Sequence, residues 1–332
     1  MMKNMKTWKL TELPPGKNVV GCKWVYTKKL DKHSNIKHYK ARLVAQGFSQ
    51  KPGIDYNNTG TFVPVMQFES LQTNLALAAE NNWELHQLDM KSAYLNGYLE
   101  EEIYMKQPPG FNNGSGRVCC LYRSIYGLKQ AGNTWNVEFT NAMSSLDFCQ
   151  LKMDYCIFDR QHGDTFAILL LWVDDIITIT NSVEEARHVE KQLAEKFEIK
   201  SLGEPSLILG IQILCDCEAG TIMIRQEHYI ESMLDKFGLK DINPVSTPVD
   251  PNVKLDYEPD EDQALETNNA MCSYSTLIGS LMYLAISMRP DISFTVNQLA
   301  QFTWNPRPRH WTAVKRVFQY LKRTKDYSVH YG

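Results

Sequence analysis

Two adjacent aspartates, Asp174 and Asp175, stand between the apolar runs Phe166–Val173 and Ile176–Ile179. Few arrangements tolerate this. Carboxylates a few ångströms apart repel, and burying them without partners is costly. Ile- and Leu-rich runs of this length read as two strands, and the short polar break makes them a β-hairpin with the carboxylates at their junction. Asp favours turns, so a solvent-facing tip is one reading. The flanks are too apolar for such a tip, however, and a third aspartate, Asp89, lies 85 residues upstream near the end of the short strand Leu85–Met90. Three carboxylates at strand ends can hold two hard divalent cations through oxygen. A metal pair about 3.5–4 Å apart stabilises both attacking and leaving oxygens in phosphoryl transfer. The triad alone serves a metal-dependent hydrolase equally well.

The rest of the chain places this hairpin in an α+β setting. Trp24–Thr27 and Ala41–Ala45 read as a strand pair joined by a basic, turn-rich segment. Phe68, Leu71, Leu75, Ala78 and Ala79 recur at helical spacing and predict an amphipathic helix ending near Asn81 and Asn82. After the hairpin, Ser182 and Glu185 form a capping box that opens a helix with Ala186, Val189, Leu193 and Phe197 on its apolar face. The order predicts helices packed on one face of a mostly antiparallel sheet. Further on, Tyr274–Leu284, Ile292–Phe302 and Trp311–Leu321 read as three helices, the first two separated at Arg289 and Pro290. No internal repeat is evident. The expected organisation is a main body over 1–249, an acidic linker over 250–266 and a small helical segment over 267–332.

Charge distribution supports a nucleic-acid partner where total charge does not. The 332 residues sum to −3. Residues 1–51 nevertheless carry 12 Lys/Arg against two acids, and residues 303–332 carry seven against one. The middle is strongly acidic, with seven acids crowded into Asp250–Glu266. Basic segments attract phosphates by counterion release, while clustered carboxylates can hold metal; solvated charged faces are the plainer reading. The eight cysteines show no paired CxxC spacing, and Cys215 with Cys217 lacks a second half of a zinc site, which leaves reduced thiols as the expectation. The longest apolar run, Phe166–Val173, falls well short of the roughly 20 residues of a spanning helix, and the Lys-rich Met1–Leu10 is not followed by the apolar stretch of a signal peptide.

Several longer motifs now become recognisable. Leu88-Asp89-Met90-Lys91-Ser92-Ala93-Tyr94-Leu95-Asn96-Gly97, followed by Tyr104-Met105-Lys106-Gln107-Pro108-Pro109-Gly110-Phe111, resembles the first catalytic motif of copia-type retrotransposon reverse transcriptases. Leu170-Leu171-Trp172-Val173-Asp174-Asp175 resembles their YVDD motif. Lys40-Ala41-Arg42-Leu43-Val44-Ala45-Gln46-Gly47-Phe48 is similar to their fingers motif, and Tyr126-Gly127-Leu128-Lys129-Gln130-Ala131 to the motif that packs against template and incoming nucleotide. Leu202-Gly203-Glu204 and Leu209-Gly210-Ile211 resemble the primer-grip region, and stretches between Tyr274 and Lys322 resemble the family's next segment.

The resemblance implies a right-handed polymerase, with fingers and a palm of antiparallel sheet and helices, then a mostly helical thumb and connection region. It implies RNA- or DNA-templated DNA synthesis on a template-primer with dNTPs, with two Mg²⁺ (or Mn²⁺) held by Asp89, Asp174 and Asp175, the last as the weaker ligand. Lys40, Arg42, Tyr94, Gly127 and Gln130 would face the nucleotide, and Leu209 and Gly210 would belong to the primer grip. Tyr94 is either an aromatic gate against a ribose 2′-hydroxyl or plain core. Lys40 and Arg42 either meet triphosphate or lie on a solvated face, and Lys28 and Lys29 are weaker candidates. Lys200 is either a general acid for pyrophosphate or, preferably, an ordinary lysine at a helix end.

The resemblance further implies association with other segments of a Pol polyprotein, no membrane, and a life in cytoplasmic particles and the nucleus. The chain is expected to stop short of an RNase H domain. Departures from the pattern point to a second outcome, an inactive or domesticated copy that at most binds nucleic acid. Trp172 replaces the usual Tyr, and a bulkier ring there could crowd the primer terminus. Gly132, Asn133 and Thr134 replace Pro-Arg-Ala, which predicts a flexible turn in place of a rigid one. Gly60 stands where an acid is usual.

Overall fold

Ile176, Ile177 and Ile179 put apolar side chains on both faces of one strand and demand cover on each. The computed structural model of the chain supplies it. It describes residues 5–30, 36–216, 219–253, 255 and 273–332, so most of the acidic 250–266 stretch, Cys217 and Cys272 lie outside the described residues. The chain divides into two compact units, Met1–Gln67 with Trp83–Gly203, and Phe68–Asn82 with Glu204–Gly332.

The first unit carries strands β1 (Trp8–Thr11), β2 (Val19–Val20), β3 (Cys22–Leu30) and β4 (Ile36–Ala45). After helix α1 (Phe68–Glu80), which belongs to the second unit, come β5 (Glu84–Met90), β6 (Tyr98–Met105), β7 (Val118–Arg123), helix α2 (Ala131–Ser144), β8 (Cys149–Gln150), β9 (Ile157–His162), β10 (Thr165–Trp172), β11 (Asp175–Thr180), helix α3 (Val183–Lys196) and β12 (Ile199–Gly203). The central sheet runs β12-β5-β11-β10-β9-β8, every pair antiparallel, and strand β11 lies in its middle with Ile176, Ile177 and Ile179 fully buried. A second sheet runs β1-β7-β6-β2, and β3 pairs with β4 alone.

The expected hairpin is present with Trp172 opposite Asp175, and the expected β3–β4 pair with Trp24 opposite Leu43. Ser182 caps α3 by accepting from the Glu185 N–H, and Ala186, Val189 and Leu193 are buried as the periodicity requires. The Glu185 carboxylate accepts from Arg160 Nη2 at 2.7 Å, an ion pair whose side chains are 14% and 3% exposed. Aromatic packing joins the two helices to the sheet. Trp135 and Phe139 of α2 meet Phe197, which follows α3, at 5.4 and 5.9 Å between ring centroids, and Phe139 meets Phe158 of β9 at 5.3 Å. Each such side chain contributes roughly 1.5–3 kcal/mol through burial.

One expectation fails here. Gly132, Asn133 and Thr134 do not form a flexible turn; they are in the first turn of α2. The helix start is held by Thr134 Oγ1 donating to the Gln130 carbonyl and Asn133 Nδ2 to the Phe62 carbonyl. A Cβ on Gly132 would stand 2.6 Å from Val63 Cγ2, so close packing rather than flexibility accounts for the glycine. At Gly60 an added Cβ would meet nothing within 4 Å.

The second unit contains α1, strands β13 (Leu207–Ile208), β14 (Ile211–Asp216) and β15 (Thr221–Arg225), helices α4 (Glu227–Lys236), α5 (Tyr274–Ser287), α6 (Ser293–Ala300) and α7 (Pro308–Arg323), and strand β16 (Ser328–Tyr331). Leu71, Leu75, Ala78 and Ala79 of α1 are buried, as their spacing predicts. The three late helices form where expected, broken at Arg289 and Pro290. They do not make a separate helical body. Their core of Leu281, Leu284, Val296, Val314 and Phe318 continues into Ile230 and Met233 of α4, and β16 completes the sheet β13-β14-β15-β16. The division therefore falls at Gly203 rather than at 249, because β13–β15 and α4 pack with the helices that come after them.

Candidate active site

Strand pairing brings the charged residues into one row. Asp175 of β11 is opposite Asp89 of β5, and Asp89 is opposite Lys200 of β12. Opposed residues in antiparallel pairs share a face with Cβ atoms about 4.5–5.5 Å apart. Lys200 thus lies in a strand beside Asp89; it is not at the expected helix end, because α3 stops at Lys196. Asp174 occupies the turn between β10 and β11. That turn is held in an uncommon shape: Val173 has φ +52°, a value strained for a β-branched residue. Trp135 Nε1 donates to the Val173 carbonyl at 2.9 Å, and the Met90 N–H donates to the Asp174 carbonyl at 2.6 Å. Both bonds fix the turn against neighbouring elements.

The electrostatics follow from burial. Burial lifts the Asp174 carboxyl above the ordinary aspartate value; the Tyr126 hydrogen bond opposes the rise, Asp89 adds to it, and Lys40 and Arg42 oppose it. Burial likewise lifts Asp175, opposed by its bond from Gln87 Nε2 at 3.4 Å and reinforced by Asp89 and Asp174. Tyr126 donates its hydroxyl to Asp174 Oδ2 at 2.9 Å. Burial and the Asp174 charge push that phenol well above its usual range, so it stays a donor at neutral pH.

Asp89 and Asp174 open onto a cavity of about 710 Å³. Lys40 and Arg42 of β4 line it as well, together with Trp24, Lys91, Phe111 and Tyr126. Carboxylates and cations that are far apart in sequence thus share one wall-lined space. Tyr94 is half-buried against the core of this unit, and its ring meets Tyr126 edge-to-face at 4.6 Å.

Other expected site residues lie elsewhere. Gln130 is buried, donating to the Asp55 carbonyl and accepting from Gln50 Nε2, both at 3.0 Å. Gly127 has φ +90°, and its missing Cβ would stand 2.1 Å from the Ala45 carbonyl oxygen. Neither lines the cavity. Lys28 is exposed opposite Tyr39, and the Lys29 side chain lies outside the described residues. Trp172 ends β10, half-exposed. Leu209 and Gly210 belong to the second unit, where they form the two-residue turn between β13 and β14 with φ of +54° and +75°. Tyr283 donates its hydroxyl to the Leu209 carbonyl. Several C-terminal cations are engaged within that unit: Arg316 with Asp250, Lys322 with the Lys240 and Ile242 carbonyls, and Lys325 with Glu227 and Glu231. Sequence reasoning missed Trp135 as the clamp of the turn, since nothing in the pattern links it to a carbonyl 38 positions away. It passed over Tyr126 too, although that residue stood inside a recognised motif.

A divalent cation needs hard oxygen donors and a reason for negative charge to gather. The three aspartates supply the oxygens, and burial, with like charge from Asp89, raises the cost of keeping Asp174 and Asp175 negative without a counter-ion. Among the described residues no group of three His, Cys, Asp or Glu side chains has converged to hold a metal, Asp174 being directed at Tyr126. The donor set fits such an ion in chemistry and register.

Comparison with known proteins agrees with the motifs. Residues 5–251 match the family described as "Reverse transcriptase (RNA-dependent DNA polymerase)". The Pol polyprotein of transposon TNT 1-94 from Nicotiana tabacum is 40% identical over 330 residues, 98% of this chain and 25% of that protein. The Pol polyprotein of transposon RE1 from Arabidopsis thaliana is 35% identical over 326 residues, covering 97% and 22%. The chain thus spans about a quarter or less of the length of these relatives. Among solved structures, a foamy viral protease-reverse transcriptase in complex with double-stranded DNA gives a TM-score of 0.49 at 11% identity, covering 99% of this chain and 46% of that one. No helix among the described residues is long and apolar enough to cross a membrane.

Proposed function

Since this chain belongs to the reverse transcriptase family, we propose that it carries out template-directed DNA synthesis, joining a dNTP to a primer on an RNA or DNA template as part of a copia-type Pol polyprotein. The observation that carries the reading is the shared cavity, with Asp89 and Asp174 on its wall together with Lys40 and Arg42. A triphosphate needs cations along its length and carboxylate-held metal at its reacting phosphorus, and this cavity offers groups for both.

Asp89, Asp174 and Asp175 are the residues that would hold two Mg²⁺. Metal bound there would lower the pKa of the primer 3′-hydroxyl and neutralise the departing pyrophosphate. Lys40 and Arg42 neutralise the triphosphate oxygens, the guanidinium through paired hydrogen bonds. Tyr94 is not on the cavity wall; its ring backs Tyr126, which is. The β3–β4 pair acts as fingers, the central sheet as palm, the Leu209-Gly210 turn as part of a primer grip, and helices α5–α7, together with the rest of their unit, as thumb and connection.

Primer extension on an RNA template with Mg²⁺ tests this. Incorporation that disappears in Asp174→Asn is the expected result. Nucleic-acid binding without incorporation would overturn it in favour of a copy that only binds.

A further inference from the structure

Tyr126 and Asp174 both stand on the cavity wall, and one meets the other at its most reactive edge. The Tyr126 hydroxyl donates to Asp174 Oδ2 at 2.9 Å and lies 3.3 Å from Oδ1, so it addresses both carboxylate oxygens. A hard cation approaches a carboxylate through the same lone pairs. Turned this way, Asp174 makes no group of three ligating side chains with Asp89 and Asp175.

The donor has little freedom to follow. The Tyr126 carbonyl accepts from the Ala45 N–H at 2.7 Å, and the next residue, Gly127, is pressed against the Ala45 carbonyl. The ring takes Tyr94 edge-to-face, and the Arg42 guanidinium lies over it at 5.5 Å. The Asp174 backbone is fixed too, by the bonds from Met90 to its carbonyl and from Trp135 to the Val173 carbonyl. What can turn is the Asp174 side chain alone, either onto the hydroxyl or away from it into the cavity that Asp89 shares. We propose that Tyr126 is a positioning residue for Asp174: its hydroxyl holds the carboxylate out of the metal-binding arrangement, and Asp174 must turn from it to bind a divalent cation. This rests on the reading of Asp89, Asp174 and Asp175 as a metal site. Hydrogen bonds to a charged acceptor are among the stronger ones. A site whose competent arrangement is only fractionally populated binds more weakly by that fraction. Deleting the hydroxyl should therefore tighten binding, a gain that damage to the fold does not imitate.

The test uses Mn²⁺ as the probe and the full chain stripped of metal by chelator. Free ion is read by electron paramagnetic resonance for wild type, Tyr126→Phe, Asp174→Asn and the double variant. Tyr126→Phe keeps the ring and its contacts with Tyr94 and Arg42. Its Mn²⁺ Kd should fall about tenfold. On a template-primer, the Mg²⁺ concentration for half-maximal extension should fall with it. In the Asp174→Asn background, where binding is weakened, the same change should bring no gain. If Tyr126→Phe does not fold, Tyr126→Leu is judged by the same criterion. Affinity that is unchanged or weaker without the hydroxyl overturns the proposal, as does a gain that appears equally in the Asp174→Asn background. Mn²⁺ binding that Asp174→Asn leaves untouched, or wild type that binds no Mn²⁺, overturns the metal-site reading, and the proposal falls with it.

Discussion

Asp175 faces Asp89 directly across the β5–β11 ladder, two like charges at one register position of a buried sheet. Pairing like charges across a ladder opposes folding. The strands stay joined because Leu88, Ile176 and Ile177 beside them are fully buried. The repulsion is thus sustained by the core around it, and its consequences are measurable.

Metal-free stability should depend on pH through this pair. Burial, with the neighbouring aspartates, raises the proton affinity of Asp174 and Asp175 in the folded chain. The native state therefore binds more protons than the unfolded chain once pH exceeds the ordinary aspartate value of 3.8, and stability falls as pH rises through the raised native values. Asp175→Asn removes one such group. Its urea midpoint relative to wild type should climb between about pH 4 and pH 7 in chelator-treated buffer. A difference that is flat or falls with pH contradicts this.

Asp174→Asn should separate stability from activity. It removes a buried charge while leaving the backbone bond from Met90 to residue 174 intact. Primer extension should drop by at least about 100-fold, the scale on which loss of one transition-state charge contact is felt. The melting temperature should hold or rise. A variant that loses both together would place Asp174 in structure rather than chemistry.

Val173 offers the opposite kind of change. A β-branched residue at φ +52° stores backbone strain, typically about 1–3 kcal/mol. Asn tolerates that region. Val173→Asn should therefore stabilise the chain by about 1 kcal/mol in denaturant titration, provided the Trp135 bond to the carbonyl persists. Destabilisation would mean that Val173 packing outweighs its strain.

The Arg160–Glu185 pair is enclosed, and Arg160 also donates to the Leu146 carbonyl and Gln192. Glu185→Ala leaves the guanidinium uncompensated and should cost about 3–5 kcal/mol. Joint replacement by Met at 160 and Leu at 185 should cost clearly less than the single change. Thermal unfolding of the three variants decides it.

Much of the site was legible because its signals are local. Asp174 and Asp175 interrupt an apolar run and Asp89 ends a short strand, so strand reasoning points to these three. Lys40 and Arg42 rest on the motif resemblance alone, since Lys40 falls in the segment read as a turn-rich connection, whose end β4 (Ile36–Ala45) in fact takes up. The Tyr126–Asp174 bond escaped because its partners are 48 positions apart and no period connects them. Gly132 was misread for a related reason: a glycine predicts freedom locally, while its missing side chain is required by Val63, 69 residues earlier. Lys200 was placed at a helix end because the stop of α3 at Lys196 leaves room for a strand that only its partner β5 reveals.

Helix α1 lies between two stretches of the first unit yet packs with β15 and β16 of the second. During synthesis it leaves the ribosome roughly 140 residues before β15 and roughly 250 before β16, and its apolar face must wait for them. Neither unit can be excised as one uninterrupted gene fragment. A recombinant fragment cut at residue 251, where the family match ends, would retain α1 but lack β16 and helices α5–α7. Expression boundaries for this chain should follow its three-dimensional partition, not its linear one.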